Sequence, residues 1–316
     1  MALAERYFGW IHKPVEAKAY ASTLERGDDF WAGLRAAEDD GNRFFYRALR
    51  MSLVSAGSTK WLRDRGGVPC IRAYDQGDIG SCVGNAEARR QAYLAALDVW
   101  YRLDWESFTG MFSPEWAYYA SRKESNMLGT GDGSTGYGAA KANTTLGALV
   151  QGKYGATDLS DYSVSRCRQF GGGRGIPQEA RDEAQKHKCG KYLAVDTVEK
   201  AWLCAGAGLP VNQCSDVGWE GERDGDGAIR RRGSWGHSMV LGGARYTTAK
   251  GRQLLLIDNS WGDDFVGGPY CGDQPFGSFY ADLGDVDRAV SQGDTFVDIE
   301  YAGDPAASVP FSFTEM

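Results

Sequence analysis

The spacing of apolar positions changes character along the chain. In the first two-thirds it is helical. Phe45, Leu49, Leu53 and Ala56 recur three or four residues apart, which predicts an amphipathic helix over 43–56. Val83, Ala86, Tyr93, Leu94 and Leu97 place one buried face on a longer helix that runs to Trp100. Ser113 followed by Pro114 reads as an N-cap and first helical position. The stretch 177–187 has Glu179, Asp182 and Glu183 early and Lys186 and Lys188 late, the charge order a helix dipole favours. From Lys191 onward the apolar residues come in short runs, at 193–195, 209–211, 239–241 and 254–257, which predict buried strands flanking a helix over 198–205. The pattern predicts an α+β fold. Residues 1–59 form an N-terminal helical extension, 60–190 a mainly helical lobe and 191–303 a mainly β lobe, with an extended tail over 304–316. Glycine-rich stretches at 129–138 and 171–175 read as a loop and a connector.

Candidate chemistry gathers where these elements begin or end. In Tyr74-Asp75-Gln76-Gly77-Asp78-Ile79-Gly80-Ser81-Cys82-Val83-Gly84-Asn85-Ala86 a turn-prone run passes into a helix, with Cys82 at the junction. A thiol there faces unpaired N–H groups and the positive end of the helix dipole, which favour the thiolate. Gln76 lies six residues earlier, where its amide can fold back to stabilise an oxyanion. A nucleophilic thiol needs a base, and there are three histidines, His12, His187 and His237. His12 has no apolar frame and is expected at the surface, and His187 reads as a charge at a helix C-terminus. His237 precedes an apolar run that would hold its ring rigidly. A second such run ends in Asp258-Asn259-Ser260-Trp261-Gly262, offering Asn259 to orient the imidazole and Trp261 to shield it.

Gln76-Gly77-Asp78-Ile79-Gly80-Ser81-Cys82, then Gly236-His237-Ser238-Met239-Val240, then Asn259-Ser260-Trp261-Gly262 resemble, in that order, the papain family of cysteine peptidases. The resemblance spans roughly residues 60–300. Its wording is nearer to the bacterial and phage-encoded branch, as is the run from Phe112 to Lys123. His237 and Asn259 lie 155 and 177 residues past Cys82, so insertions between the lobes are expected. The resemblance implies a papain-like two-lobe fold and peptide-bond hydrolysis through a Cys82–His237 thiolate–imidazolium pair and an acyl-enzyme. Asn259 would orient the histidine and Gln76 would complete the oxyanion hole. It also implies that Asp132, Gly133 and Ser134 pair with an extended substrate, although a surface loop reads equally well there. No cofactor is required. The interleaved Glu/Arg/Phe/Asn pattern of the family's inhibitory prodomain is not evident in residues 1–59, which read as a structural arm or interaction surface. The contrasting reading is a papain-like module used as a structural subunit, for example of a phage particle, with residues 1–59 or the tail contacting a partner. Transfer to an amine, or deamidation, is a third.

Charge and composition narrow the rest. A net charge of −7 and a pI near 5.2 leave no basic excess for nucleic acid. No apolar run is long enough for a membrane span and no secretory signal is seen, so a cytoplasmic or virion-packaged protein is expected. Seven cysteines at irregular spacing, with Ile79 where secreted relatives carry a cysteine, argue against a disulfide framework. A zinc site from His187, Cys189, Cys204 and Cys214 lacks any Cys-x-x-Cys pair, and Asp224-Gly225-Asp226-Gly227 lacks the spacing of a calcium loop, so no metal is expected. The glycine run at 129–138 lacks the lysine and preceding strand of a phosphate loop. The charged stretch 216–235 reads as a solvated insertion.

Overall fold

The computed structural model describes residues 8–36, 38, 43–102 and 110–299; the predicted tail at 304–316 lies outside them. Ahead of the helical lobe come α1 (Pro14–Thr23), α2 (Asp28–Ala36), the two-residue strand β1 (Arg43–Phe44) and α3 (Tyr46–Ser55), followed by a hairpin of β2 (Leu62–Arg65) and β3 (Val68–Ile71). The helix predicted over 43–56 therefore begins three residues late, because Arg43 and Phe44 are drawn into pairing with the main sheet.

The helical lobe is built around α4 (Cys82–Arg102), which packs against α5 (Pro114–Glu124), with α6 (Gly136–Thr145), the pair β4 (Lys153–Tyr154) and β5 (Thr157–Asp158), α7 (Val164–Gly171) and α8 (Gln178–Ala184) beyond. Ser113 caps α5, accepting the Trp116 N–H with Pro114 at the first position, as the sequence predicts.

The sheet follows from β6 (Tyr192–Ala194), α9 (Val198–Gly206), β7 (Val211–Trp219), β8 (Arg231–Thr247), β9 (Gln253–Asp258), β10 (Phe279–Asp282), α10 (Leu283–Val290) and β11 (Phe296–Asp298). Its order is β10-β9-β8-β7-β11-β6, with β1 added to β8. β8 carries the sheet through a bulge between Leu241 and Arg245. Gly243 sits there at φ +61°, a left-handed conformation that other residues adopt only at a cost. One face of the sheet packs α9 and α10 through Leu193, Leu203, Val211, Leu241, Ile257 and Val286. The other packs α4 and α3 through Leu49, Tyr93, Val240, Leu254 and Leu256. The charged stretch 216–235 is not a solvated insertion. Both of its ends, 216–219 and 231–235, belong to the paired strands β7 and β8, and Arg223 between them is buried, donating to the carbonyls of Ser278 and Val266.

α4 is buried on nearly all sides rather than on a single face, and its polar residues are buried with it. Arg89 pairs with Asp258 at the end of β9 at 3.2 Å, both almost fully enclosed, and also donates to the Arg72 carbonyl. Tyr93 donates to the same aspartate at 3.0 Å. Removing one member of a buried pair strands the other charge, at a cost of about 3–5 kcal/mol, whereas removing both costs far less. We expect Arg89→Leu to lose about that much in urea denaturation and Arg89→Leu/Asp258→Leu to regain most of it. Additive losses in the double variant would show that the pair is not coupled.

Candidate functional site

β8 and β9 bring the histidine and asparagine together. Residues 240 and 258 face each other in the sheet register, so His237 and Asn259 leave adjacent strands on the same side. The Asn259 side-chain oxygen accepts the Ser260 backbone N–H at 2.8 Å, which fixes which end of the amide is oxygen. The partner at 2.8 Å, His237 Nε2, must then donate, and the proton of the neutral ring sits there. His237 Nδ1 is buried and has no hydrogen-bond partner among the described residues. It is the nitrogen left as a base. Trp261 stacks on the ring at 4.2 Å and 26° and is itself 2% exposed, so water is kept from the His237–Asn259 bond.

Cys82 opens α4 against the strand that carries that ring. Its sulfur faces the backbone N–H groups of Ser238, Val83 and Cys82 itself. The first of these belongs to the residue following His237. The segment 74–76 joins the two lobes at this point: Gln76 N–H donates to the Ser260 carbonyl and Gly262 N–H to the Tyr74 carbonyl, both at 2.9 Å. The buried Gln76 side chain accepts from Ser260 Oγ and donates to the Ile79 carbonyl, each at 2.9 Å. Cys82, His237, Asn259, Gln76 and Trp261 thus gather where the two lobes meet, with the thiol at a helix N-terminus and the imidazole on a strand.

The site is covered. Residues 8–12 cross it, so the segment read as a structural arm has a second placement that its composition does not announce. Gly9 turns its N–H to the Cys82 sulfur and its carbonyl to the Ser134 N–H at 2.7 Å. Ile11 N–H donates to the Ser134 carbonyl at 2.8 Å and Trp10 N–H to the Gly236 carbonyl at 3.3 Å. The arm is a strand laid between the two lobes, in parallel register with Ser134. Gly9 and Gly80 meet so closely that a Cβ on Gly9 would collide with the Gly80 carbonyl. A Cβ on Gly133, at φ +101°, would likewise collide with the Gly9 carbonyl and the Ile11 side chain. Gly133 and Ser134 therefore border the cleft. The Asp132 carboxylate instead takes the Gly80 N–H and the Tyr118 hydroxyl, holding the loop before Cys82.

Under this cover the electrostatic expectation for the thiol reverses. A helix N-terminus favours an anion by about 0.3–1 kcal/mol, whereas enclosing an uncompensated charge costs several. Burial dominates and pushes the Cys82 thiol up to about 12, even with backbone N–H groups acting the other way. Burial likewise holds the His237 imidazole down to about 4. Both groups are neutral in the covered state, so the ion pair expected from the sequence is not formed there.

The other expected residues separate. His12 is exposed beside Trp10, and His187 ends a helical turn 3.2 Å from Glu183. All seven cysteines are free thiols. Cys189, Cys204 and Cys214 lie in different parts of the core, and no metal-holding cluster occurs among the described residues. Sequence reasoning missed the arm residues Gly9 and Trp10 and the buried Asp294, whose carboxylate accepts the Trp10 indole N–H at 2.7 Å. Only the spacing Phe8-Gly9-Trp10 hinted at a strand with one backbone-close position.

In Cys82→Ala no thiolate can hold an imidazolium when the arm leaves, so His237 titrates alone. A histidine held below its ordinary pKa by burial binds fewer protons than it does when exposed, so the covered state of that variant loses stability as pH falls from about 6.5 toward about 4. We expect the hydrogen-exchange protection of the Ile11 and Ser134 amides to fall more over that interval in Cys82→Ala than in Cys82→Ala/His237→Asn. Equal pH dependence in the two variants would show that imidazole burial is not coupled to arm closure.

No protein-family model matches the chain and no curated protein matches it. Among solved structures it is similar to xylellain, a cysteine protease from Xylella fastidiosa, at 20% identity and TM-score 0.49 over 73% of this chain and 83% of that one. It is similar to the proform of the ragweed pollen cysteine protease Amb a 11 at 16% identity and TM-score 0.48, over 74% of this chain and 63% of that one. It is also similar to the bromelain protease of Ananas comosus at 12% identity and TM-score 0.45, over 72% of this chain and 93% of that one.

Proposed function

We propose that the protein is a cysteine endopeptidase held closed by its own residues 8–12. The observation that carries this reading is the His237–Asn259 hydrogen bond. It leaves a neutral imidazole with one unengaged, buried nitrogen next to a cysteine at the start of a helix. That set supplies a nucleophile, a base and an orienting group.

With the arm displaced, water reaches the cleft and the desolvation that keeps both groups neutral is relieved. The thiol proton passes to His237 Nδ1, and the thiolate attacks a peptide carbonyl. The N–H of Cys82 and the Gln76 amide stabilise the oxyanion. His237 returns its proton to the leaving amine, then activates water to release the acyl group from the sulfur. Asn259 holds the ring through both proton transfers. Gly133 and Ser134 offer a substrate the backbone pairing they now give to residues 9–11.

The test is selective labelling of Cys82 by an epoxide-type cysteine-peptidase reagent, with hydrolysis of an unstructured protein followed alongside. We expect slow labelling of the full chain, and faster labelling with the onset of hydrolysis once the arm is loosened by substitution at Trp10. Cys82→Ala and His237→Ala should each lower hydrolysis by at least about 1,000-fold. Labelling at Cys82 that His237→Ala leaves unchanged, with no hydrolysis under any condition, would instead support a papain-like module that serves only as a structural subunit.

A further inference from the structure

The side chain that plugs the cleft is unusual in what it meets at the bottom. Trp10 is buried among Cys82, Val83, Ala139 and Cys214, so its ring fills an apolar pocket immediately beside the sulfur. The floor of that pocket is a carboxylate. Asp294 Oδ2 accepts the Trp10 indole N–H at 2.7 Å and the Gly136 N–H at 2.8 Å, and Oδ1 accepts the Tyr137 N–H at 2.6 Å. The two backbone donors open α6 and hold the aspartate in place from below; the indole reaches it from the cleft side. A Cβ at Gly136 would run into the Asp294 backbone and the Cys214 sulfur, so the pocket keeps its depth through a glycine. Asp294 is 1% exposed. Once Trp10 leaves, one oxygen of a buried carboxylate faces the cleft with a lost donor.

We propose that this pocket is a specificity site. It selects peptides that place a long side chain ending in an N–H donor (tryptophan, arginine or lysine) next to the bond to be cut. Asp294 sets the choice, and Trp10 is the chain's own occupant. The substrate half rests on the peptidase reading; the pocket's preference does not. A tryptophan, or the stem and head of an arginine or lysine, meets both the apolar walls and the carboxylate. Phenylalanine or leucine fills the walls but leaves the buried carboxylate oxygen with the Gly136 N–H alone and no donor from the cleft side, a loss equivalent to about 10- to 100-fold in occupancy.

The preference can be read in the full-length chain without turnover, from the rate at which iodoacetamide alkylates Cys82 under native conditions. Alkylation of Cys204, enclosed in the core on the far side of the sheet, reports global unfolding in the same samples. We expect Trp10→Phe and Trp10→Ala to speed alkylation of Cys82 by about 10-fold or more with Cys204 unchanged, and Trp10→Arg to stay near the unaltered rate. In an Asp294→Leu background the order should invert, with Trp10→Phe closing the site and Trp10→Arg opening it. Should Asp294→Leu fail to fold because the Gly136 and Tyr137 N–H groups lose their acceptor, Asp294→Asn serves instead, and there Trp10→Arg should lose more closure than the unaltered tryptophan does. The same ranking of Trp10→Phe and Trp10→Arg whatever residue forms the floor would overturn the proposal, as would equal rates in Trp10→Ala and the unaltered chain. Trp10→Ala is then offered peptides that differ only at the side chain beside the scissile bond. Faster cleavage with tryptophan, arginine or lysine is expected. Cleavage indifferent to that side chain overturns the substrate assignment alone. Absence of any cleavage sinks the peptidase reading and the substrate half with it, while the alkylation ranking still decides what the pocket prefers.

Discussion

A helix buried on every side must satisfy its own polar residues from its neighbours, and α4 does so in a way that fixes the site. Glu87, Arg89, Arg90 and Gln91 are each at most 3% exposed. Glu87 accepts from Arg90, Asn143 and Asn212, and Gln91 donates to Asn143, so this side of the helix is tied to α6 and to β7. Arg89 is tied to Asp258, one residue before the asparagine of the site. Buried ionic groups are a poor source of net stability, because desolvation offsets most of the attraction. Here they act as a register lock. Turning α4 or sliding it along the sheet would strand several charges together, so the start of the helix, and Cys82 with it, is held against β8 at the residue after His237.

That geometry leaves the reactivity of the thiol to be decided by solvent. The helix end, the Ser238 N–H and the neighbouring imidazole all favour a thiolate, yet none supplies a full charge until the imidazole is protonated. In a dry site the two neutral groups are the lower state. The arm makes the site dry with very little chain, through two backbone pairings to Ser134, one to Gly236 and one anchored indole. None of Cys82, His237, Asn259 and Gln76 has to move for the site to be covered, so access to the thiol is governed by the arm and its environment.

The division into helices and strands was legible in the apolar spacing, as were the Ser113 cap and the helix over Val198–Gly206, because local periodicity and capping chemistry determine them. Cys82 and Asn259 were legible at the start of a helix and the end of a strand, whereas Gln76, in a loop, and His237, inside β8, were singled out only because the runs around them resemble a known family's motifs. The pairing of the charged stretch 216–235 was not. Most of its charges lie at exposed strand ends or in the turn between them, and the buried one, Arg223, is satisfied by carbonyls far along the chain. The helix over Leu283–Val290 was hidden for a similar reason: it is eight residues long with a glycine at its second position.

The arm was illegible for a deeper reason. Its contacts are made by backbone and by glycine, which leave almost no compositional trace, and its one anchoring side chain answers a carboxylate 284 residues away. Gly9 matters only because Gly80 is close, and Trp10 only because Asp294 is buried. Either residue alone reads as an ordinary turn or core position. Asp294 itself sits in Gly293-Asp294-Thr295, which in sequence is a turn before a strand. Such a site is specified by pairs of residues far apart, each unremarkable on its own. What the sequence does carry is the consequence of closure: glycines at 9, 80, 133 and 136, where two backbones, or a backbone and a carboxylate, must approach without a Cβ between them. Those four positions outline the same narrow cleft, and they keep it narrow around the backbone of residues 8–12.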